Sequence, residues 1–157
     1  MFKKKKTNQN NQNDVLIILN NRFNLKLPAE WKDQSVYRYE GPEEDGIRHN
    51  IYVTIENDIE EQDLEKYADK NIRAVEAELQ GYQELKKGKI TFLSGIQGVD
   101  TVYKWFPVEN REIYQRAIYL TKNNTGYILN ATFSKKTWKM LGAKVDEILM
   151  SFDVPIQ

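Results

Sequence analysis

The residues best suited to chemistry in this sequence surround its single histidine. His49 follows Arg48 and stands close to the acidic run Glu43, Glu44 and Asp45. A histidine beside carboxylates is suited to general acid and base catalysis, but such a site also needs a positioned nucleophile or water. No nucleophile stands at a recognisable spacing from His49. We therefore interpret it as a surface or half-buried histidine at the edge of a strand.

Metal and cofactor chemistry has few candidate residues. The chain has no cysteine, which removes thiolate ligands and disulfides, and one histidine is too few for the usual zinc sites. The acidic turn EEDG lacks the alternating ligands and the final glutamate of a calcium loop. The loops SGIQG and GPEEDG lack the lysine pattern that accompanies a phosphate-binding loop. We therefore predict no catalytic residue, no metal site and no cofactor, and we do not expect an enzyme.

Composition limits the partners of the protein. The 157 residues are enough for one domain with its own core, and Lys+Arg and Asp+Glu are balanced at 23 each. The aromatic residues near Lys104, Arg111 and Arg116 could stack on bases, as sheet-based RNA binders do. Because the chain has no excess of positive charge, we expect no nucleic-acid partner and assign these aromatics to packing.

The first residues have the composition of a tail. Residues 1–14, MFKKKKTNQNNQND, are polar and rich in Asn and Gln, so we predict a disordered tail there and a single domain over residues 15–157. The apolar run VLIIL that follows is shorter than the ~7–15 apolar residues of a secretory segment. It is also shorter than the ~20 residues of a membrane span. We therefore expect a cytoplasmic protein with no stable membrane insertion.

Short segments rich in β-branched and aromatic residues alternate with turn signals, which favours strands. The predicted strands are 23–27, 36–39, 50–56, 89–92, 99–106, 112–120 and 127–133. Two further segments have the period of an amphipathic helix. The first begins at Asp58, with Glu61 in a capping box, and ends at Gly81. The second begins at its cap Ser134 and ends at Phe152.

The order of these elements predicts the class of fold. Late strands joined by short turns must be antiparallel, because a parallel pair needs a long crossover. We therefore predict an α+β fold, in which an antiparallel sheet of about six to seven strands has two main helices packed on it. The strands in VDTVYKWFPV and EIYQRAIYL are apolar on both faces, as buried strands are. Either the second face forms its own small core or a homodimer interface, or it is a groove for a foreign apolar segment.

The segment LKLPAEWKDQSVYRY resembles the opening of the DcrB-related domain family, which has a fold like that of the photosystem protein PsbP. The residues Pro28, Trp31, Asp33 and Ser35 match its P-x-x-W-x-D-x-S turn. The resemblance continues through NIYVTIEN, LQGYQELKKGKITFLSGIQG, YKWF and YQRAIYLTKNNTGYILNATF, and so covers nearly everything after Phe23. It implies a PsbP-like α+β domain over residues 15–157.

Within that family the chain is similar to the effector-associated (Eag) chaperones of bacterial type VI secretion. This resemblance implies a non-enzymatic cytoplasmic chaperone or adaptor that works as a homodimer. Its client would be a secreted effector, whose hydrophobic N-terminal segments lie on the sheet face turned away from the helices. A structural or regulatory dimerising domain in the same family is the alternative, since a fold alone assigns no function.

The same resemblance implies which positions bind the client. They lie on strands of the free face and are Val36, Arg38, Ile51, Val53, Tyr103, Trp105, Gln115, Ala117 and Tyr119. The apolar members would bury client surface, which is favourable by roughly 25 cal/mol per Å². The polar members would satisfy client backbone groups. Arg38 departs from an apolar groove, and it could pair with an acidic or carbonyl-rich feature of the client.

Overall fold

The computed structural model describes residues 14–19 and 23–155, with side chains from residue 23 onward. Its strands are β1 Asp14–Leu19, β2 Phe23–Pro28, β3 Gln34–Glu44, β4 Ile47–Glu56, β5 Gln83–Thr91, β6 Gln97–Val108, β7 Arg111–Lys122 and β8 Thr125–Phe133. Its helices are α1 Leu64–Glu78 and α2 Lys135–Met150. The predicted tail, residues 1–14, lies outside the described residues except for Asp14, which begins β1.

The chain divides into two compact units, residues 1–33 and 34–157. In the first unit, β1 and β2 form an antiparallel hairpin that pairs Val15 with Leu27. No strand is predicted at β1, because a short apolar run does not distinguish a strand from other buried structure. After β2 the backbone N–H of Trp31 donates to the carbonyl of Pro28 at 3.1 Å, which forms the expected proline turn.

The second unit contains an antiparallel sheet of six strands in the order β3-β4-β8-β7-β6-β5. The predicted α+β fold with an antiparallel sheet is therefore confirmed. The turns between consecutive strands use residues that tolerate a left-handed backbone, such as Asp45 with a φ of 52° and Asn110 with a φ of 64°. The pairing of β4 with β8 joins the early strands to the late ones.

The two helices lie on opposite faces of this sheet. Tyr119 in β7 belongs to a core with Tyr67 and Ala68 of α1, whereas its neighbour Ile118 belongs to a core with Leu149 of α2. Successive residues of a strand point to opposite faces. We therefore distinguish an α1 face and an α2 face. The expectation of a face turned away from both helices is wrong, and β7 is apolar on both sides because each side packs on a helix.

α1 begins later than predicted. Its N-cap is Asp63, whose carboxylate accepts a hydrogen bond from the backbone N–H of Lys66 at 3.0 Å. Asp58 instead lies in the preceding loop, with a left-handed φ of 53°. Several acidic residues precede the helix and each is a suitable cap, so the sequence pattern does not single out one of them. α1 ends at Glu78, and Gly81 takes a φ of 67° before β5.

α2 begins at the predicted cap. The side-chain oxygen of Ser134 accepts from the backbone N–H of Thr137 at 3.1 Å, and the Thr137 hydroxyl oxygen accepts from the backbone N–H of Ser134 at 2.9 Å. This reciprocal pair is a capping box. Neither of the two described helices combines the length and apolarity that a membrane crossing requires.

Candidate binding surface

α1 covers only part of its face of the sheet. It packs chiefly on β6 and β7, and among the described residues neither helix packs extensively on β3 or β4, although Tyr67 of α1 donates a hydrogen bond to Glu56 at the end of β4. The β3–β4 register pairs Val36 with Thr54 and Arg38 with Tyr52, which places these side chains on the α1 face. Val36 is 57% exposed. We call this region the open face, and it comprises Val36, Arg38, Asn50, Tyr52, Asn130 and Thr132, with Trp105 and Gln115 at its border.

Polar side chains are hydrogen-bonded to one another across four strands of the open face. The amide of Gln115 accepts from the Trp105 indole N–H at 2.9 Å and donates to Asn130 Oδ1 and Thr132 Oγ1, each at 3.3 Å. The Thr132 hydroxyl in turn donates to Asn50 Oδ1 at 3.3 Å. We call Gln115, Asn130, Thr132 and Asn50 the amide network. Its members are buried or half-buried, so their mutual bonds satisfy groups that water reaches poorly.

Arg38 is held by two neighbours on the open face. Its guanidinium carbon lies 5.3 Å from the centre of the Tyr52 ring, and Nη2 lies 3.1 Å from a carboxylate oxygen of Glu40. A guanidinium over an aromatic face is attracted by the ring electrons. Its charge is therefore compensated within the protein, and the open face does not present an isolated cation.

Residues 24–151 match the family model DcrB. The chain belongs to the DcrB family. The resemblance of the sequence to DcrB-related domains is thus confirmed. The matched residues include the whole six-stranded sheet and both helices of the DcrB chain. No curated protein matches the sequence at a significant level.

Two solved structures are similar to the DcrB chain. The protein of unknown function PA94 from Pseudomonas aeruginosa, for which a regulatory role has been suggested, has a TM-score of 0.72 and 16% sequence identity. The match covers 92% of this chain and 99% of PA94, and it shows a shared fold. The Ran-binding protein Mog1p from Saccharomyces cerevisiae has a TM-score of 0.48 and 10% identity, over 84% of this chain and 83% of its own. We draw no functional argument from that weaker similarity.

The DcrB sheet brings some of the expected client-binding residues together. Val36, Arg38, Trp105 and Gln115 lie on the open face or at its border. The residues Tyr52, Asn50, Asn130 and Thr132 are additional members that the sequence did not indicate, because finding them requires the register of three strand pairs. Three other expected residues share the α1 face but are buried in the core that includes α1, and these are Tyr103, Ala117 and Tyr119.

Ile51 and Val53 point to the α2 face instead. They pair with Ala131 and Leu129 of β8, and they pack against the core that includes α2. They therefore do not share a face with Val36, as one common groove would require. The β3–β4 register pairs Val36 with Thr54 and Tyr37 with Val53, and successive residues of a strand point to opposite faces.

Val53→Gln is expected to lower the free energy of unfolding by about 2 kcal/mol, because the amide would enter an apolar contact region without a hydrogen-bond partner. Val36→Gln makes the same chemical change on the open face. We expect that variant to stay within about 0.5 kcal/mol of the parent protein. Urea unfolding followed by circular dichroism measures both values. Equal losses in the two variants would contradict the assignment of the residues to different faces.

Four tyrosines of the α1 side have raised pKa values. Burial raises the pKa of Tyr82 to about 12, assisted by the nearby Glu84 carboxylate. Burial also raises the pKa values of Tyr67, Tyr103 and Tyr119 above the usual 10.0. Each phenol therefore keeps its proton in the folded state at a pH where the unfolded chain has lost it.

Stability is consequently expected to fall at high pH. Well below pH 10 the tyrosines are protonated in both states, so they contribute no pH dependence there. Between pH 10 and pH 12 the unfolded state binds fewer protons than the folded state, and the free energy of unfolding decreases as the pH rises. Tyr82→Phe should make this decrease less steep. Urea midpoints across this pH range test the prediction, and a midpoint that rises with pH would contradict it.

Proposed function

We propose that this DcrB-family protein is a non-enzymatic chaperone or adaptor that binds hydrophobic segments of a secreted effector, of the type VI class, on its open face. The observation that carries the proposal is the amide network beside the exposed side chain of Val36 and the ring of Tyr52. The resemblance of the sequence to the Eag chaperones supports a secreted effector as the client. In this role the protein acts in the cytoplasm, before the client is exported.

The open face combines the two kinds of contact that an apolar chain segment needs. Burial of client side chains against Val36, Tyr52 and the ring of Trp105 is favourable by roughly 25 cal/mol per Å². A client segment also has backbone groups that cost free energy when they leave water unpaired. The Gln115 oxygen keeps one lone pair beyond its bond from Trp105, and the Asn130 amide keeps one N–H beyond its bond to the Tyr103 hydroxyl, so these two groups can pair with client backbone groups.

Arg38 adapts this surface to a client that is not purely apolar. Its guanidinium lies over the Tyr52 ring and Nη2 pairs with Glu40, and its side chain is half exposed. An arginine has five N–H donors in a planar fork. Its remaining donors can bind carbonyl groups at the end of a client helix, where the last carbonyls lack partners within the helix.

A dimerising structural or regulatory domain is the second candidate function. β3 is an outer strand of the six-stranded sheet, and among the described residues it pairs only with β4. The free edge of an outer strand can pair with a second copy of the chain. In that case the open face would contribute to a dimer interface and would bind no client.

Co-expression with an effector tests the two functions. The effector to choose is one encoded beside this gene that carries N-terminal apolar segments. We expect it to stay soluble and to copurify only when this protein is present. Val36→Asp should reduce the copurified effector at least tenfold, because it places a charge where client side chains are buried. Val108→Asp is the matched control, since Val108 is 58% exposed, close to the 57% of Val36, but lies at the far end of β6.

The variants also separate the candidates. Light scattering gives the mass of the free protein and of each variant, and urea unfolding shows whether each variant is folded. Loss of the effector in Val36→Asp with unchanged mass and stability supports the chaperone. A parent dimer that becomes a monomer in Val36→Asp, with no effector bound by the parent protein, supports the dimerising domain. Equal effector binding by Val36→Asp and Val108→Asp would overturn the proposed surface.

A further inference from the structure

A second feature lies on the α2 face, opposite the open face. A cavity of about 380 Å³ separates α2 from β3, β4 and β8. This volume falls at the small end of the range for ligand pockets. Apolar side chains form most of its walls, and they include Ile51, Ala131, Phe133, Leu141, Val145 and Ile148.

His49 is the polar side chain that distinguishes this cavity. It is only 7% exposed within the inner strand β4, so the expectation of a surface or half-buried histidine at a strand edge is wrong. Its Nδ1 lies 3.1 Å from the backbone carbonyl oxygen of Thr132. A carbonyl oxygen can only accept, so Nδ1 carries the proton and Nε2 of the neutral ring is a hydrogen-bond acceptor. Among the buried side-chain nitrogen and oxygen atoms of the described residues, Nε2 alone has no hydrogen-bond partner. Native structures rarely leave such an atom unpaired.

The charged residues that line the cavity already have partners of opposite charge, so they do not require a charged ligand. Glu40 already forms ion pairs with Arg38 and Arg48, at 3.1 Å and 3.2 Å. Lys144 lies 3.4 Å from the carboxylate of Glu147. Both charges at the cavity are therefore compensated within the protein. The polar group that lacks a partner is Nε2 of His49, which needs one hydrogen-bond donor within otherwise apolar surroundings.

We infer that this cavity binds a small neutral aromatic molecule with one hydrogen-bond donor, of the indole or phenol class. The donor of the ligand would meet Nε2 of His49, which is covered in this structure, so the His49 ring or a neighbouring side chain shifts when the ligand binds. The ring of His49 has Phe133 as an aromatic neighbour, with ring centres 6.0 Å apart, and Tyr39 also lines the cavity. Flat aromatic ligands suit such walls because offset and edge-on ring contacts are favourable. The cavity lies on the α2 face, and it shares Asn50 and Thr132 with the open face on the other side of the sheet.

Matched probes test the inference on the full chain. Indole and 2-naphthol each have one donor, whereas 1-methylindole and 2-methoxynaphthalene have nearly the same shape and none. We expect each donor probe to bind about tenfold more tightly than its methylated control, since the control leaves Nε2 unpaired. Long-range ¹H–¹⁵N spectra report the site directly because the chain has one histidine. The Nε2 resonance of His49 should shift with the donor probes and stay unchanged with their controls.

Two tryptophan substitutions on α2 locate the site. Ile148→Trp places a large side chain at the cavity and should abolish binding of indole. Met140→Trp is the control, because Met140 is exposed on the same helix and does not line the cavity. Equal affinity for probe and control, binding without a shift of His49, or no binding by either donor probe up to its solubility would each overturn the inference. These outcomes leave the effector experiment unaffected, because that experiment changes Val36.

Discussion

Arg116→Met is expected to lower the free energy of unfolding by about 3–5 kcal/mol, because it leaves a buried carboxylate without its partner. Arg116 Nε and Nη2 donate to the two oxygens of Asp100 at 2.9 Å and 3.0 Å. Arg116 Nη1 donates to Asp146 of α2 at 2.6 Å. Asp100 is 5% exposed, so water cannot replace the lost guanidinium. Urea unfolding at neutral pH measures the loss.

Two control variants test whether the loss of stability comes from leaving a buried charge unpaired or from the number of ion pairs removed. Asp146 has a half-exposed side chain, so Asp146→Asn should cost no more than about 1 kcal/mol. The double change Arg116→Met with Asp100→Leu removes both buried charges. We expect it to restore most of the stability that Arg116→Met loses, since a buried pair can be replaced by apolar residues at little cost. A double variant as unstable as Arg116→Met would contradict the explanation.

Gly126→Ala is expected to lower the free energy of unfolding by about 3 kcal/mol, at the upper end of the cost of overpacking a core. A methyl group on Gly126 would overlap the ring and the hydroxyl of Tyr67. Tyr67 is 3% exposed and its hydroxyl donates to Glu56 at 3.0 Å. The tyrosine would have to leave this position, which disturbs the packing of α1 on the sheet. Thermal and urea unfolding both report the effect.

Gly88→Ala is the matched control for this change. Gly88 also lies in a strand, but no heavy atom lies within 4 Å of a methyl group placed on it. Alanine restricts the unfolded chain more than glycine does, so this variant should be neutral or gain up to about 1 kcal/mol. If Gly126→Ala were as stable as Gly88→Ala, α1 would not pack on β8 through Tyr67.

Local patterns in the sequence predicted the elements of this fold well. Segments rich in β-branched and aromatic residues, with turn signals between them, located the strands of the main sheet, and Ser134 was identified as the cap of α2. These features depend on contacts between residues that are near one another in the chain. α1 is the exception at its start, where Asp58 and Asp63 are equally good caps by residue type. In the structure Asp58 has a left-handed backbone, and Asp63 is the residue that caps α1.

The assignment of residues to faces required more than local pattern. β7 is apolar on both sides, and the sequence indicated burial on both sides without showing which layers supply it. The structure places α1 against Ala117 and Tyr119, and the core of α2 against Ile118. The expected binding residues of β7 therefore divide between a buried core and the open face, where Gln115 remains half-buried.

The sequence by itself determined the family, the order of strands and helices from residue 23 onward, and the lack of any recognisable catalytic or metal-binding motif. The tertiary structure alone decided which side chains meet. The β3–β4 register pairs Val36 with Thr54, so Val53, which precedes Thr54, points to the α2 face while Val36 lies on the open face. Because side chains alternate along a strand, a displacement of one residue exchanges its two faces. Pairing between distant strands sets that displacement, and local sequence does not record it.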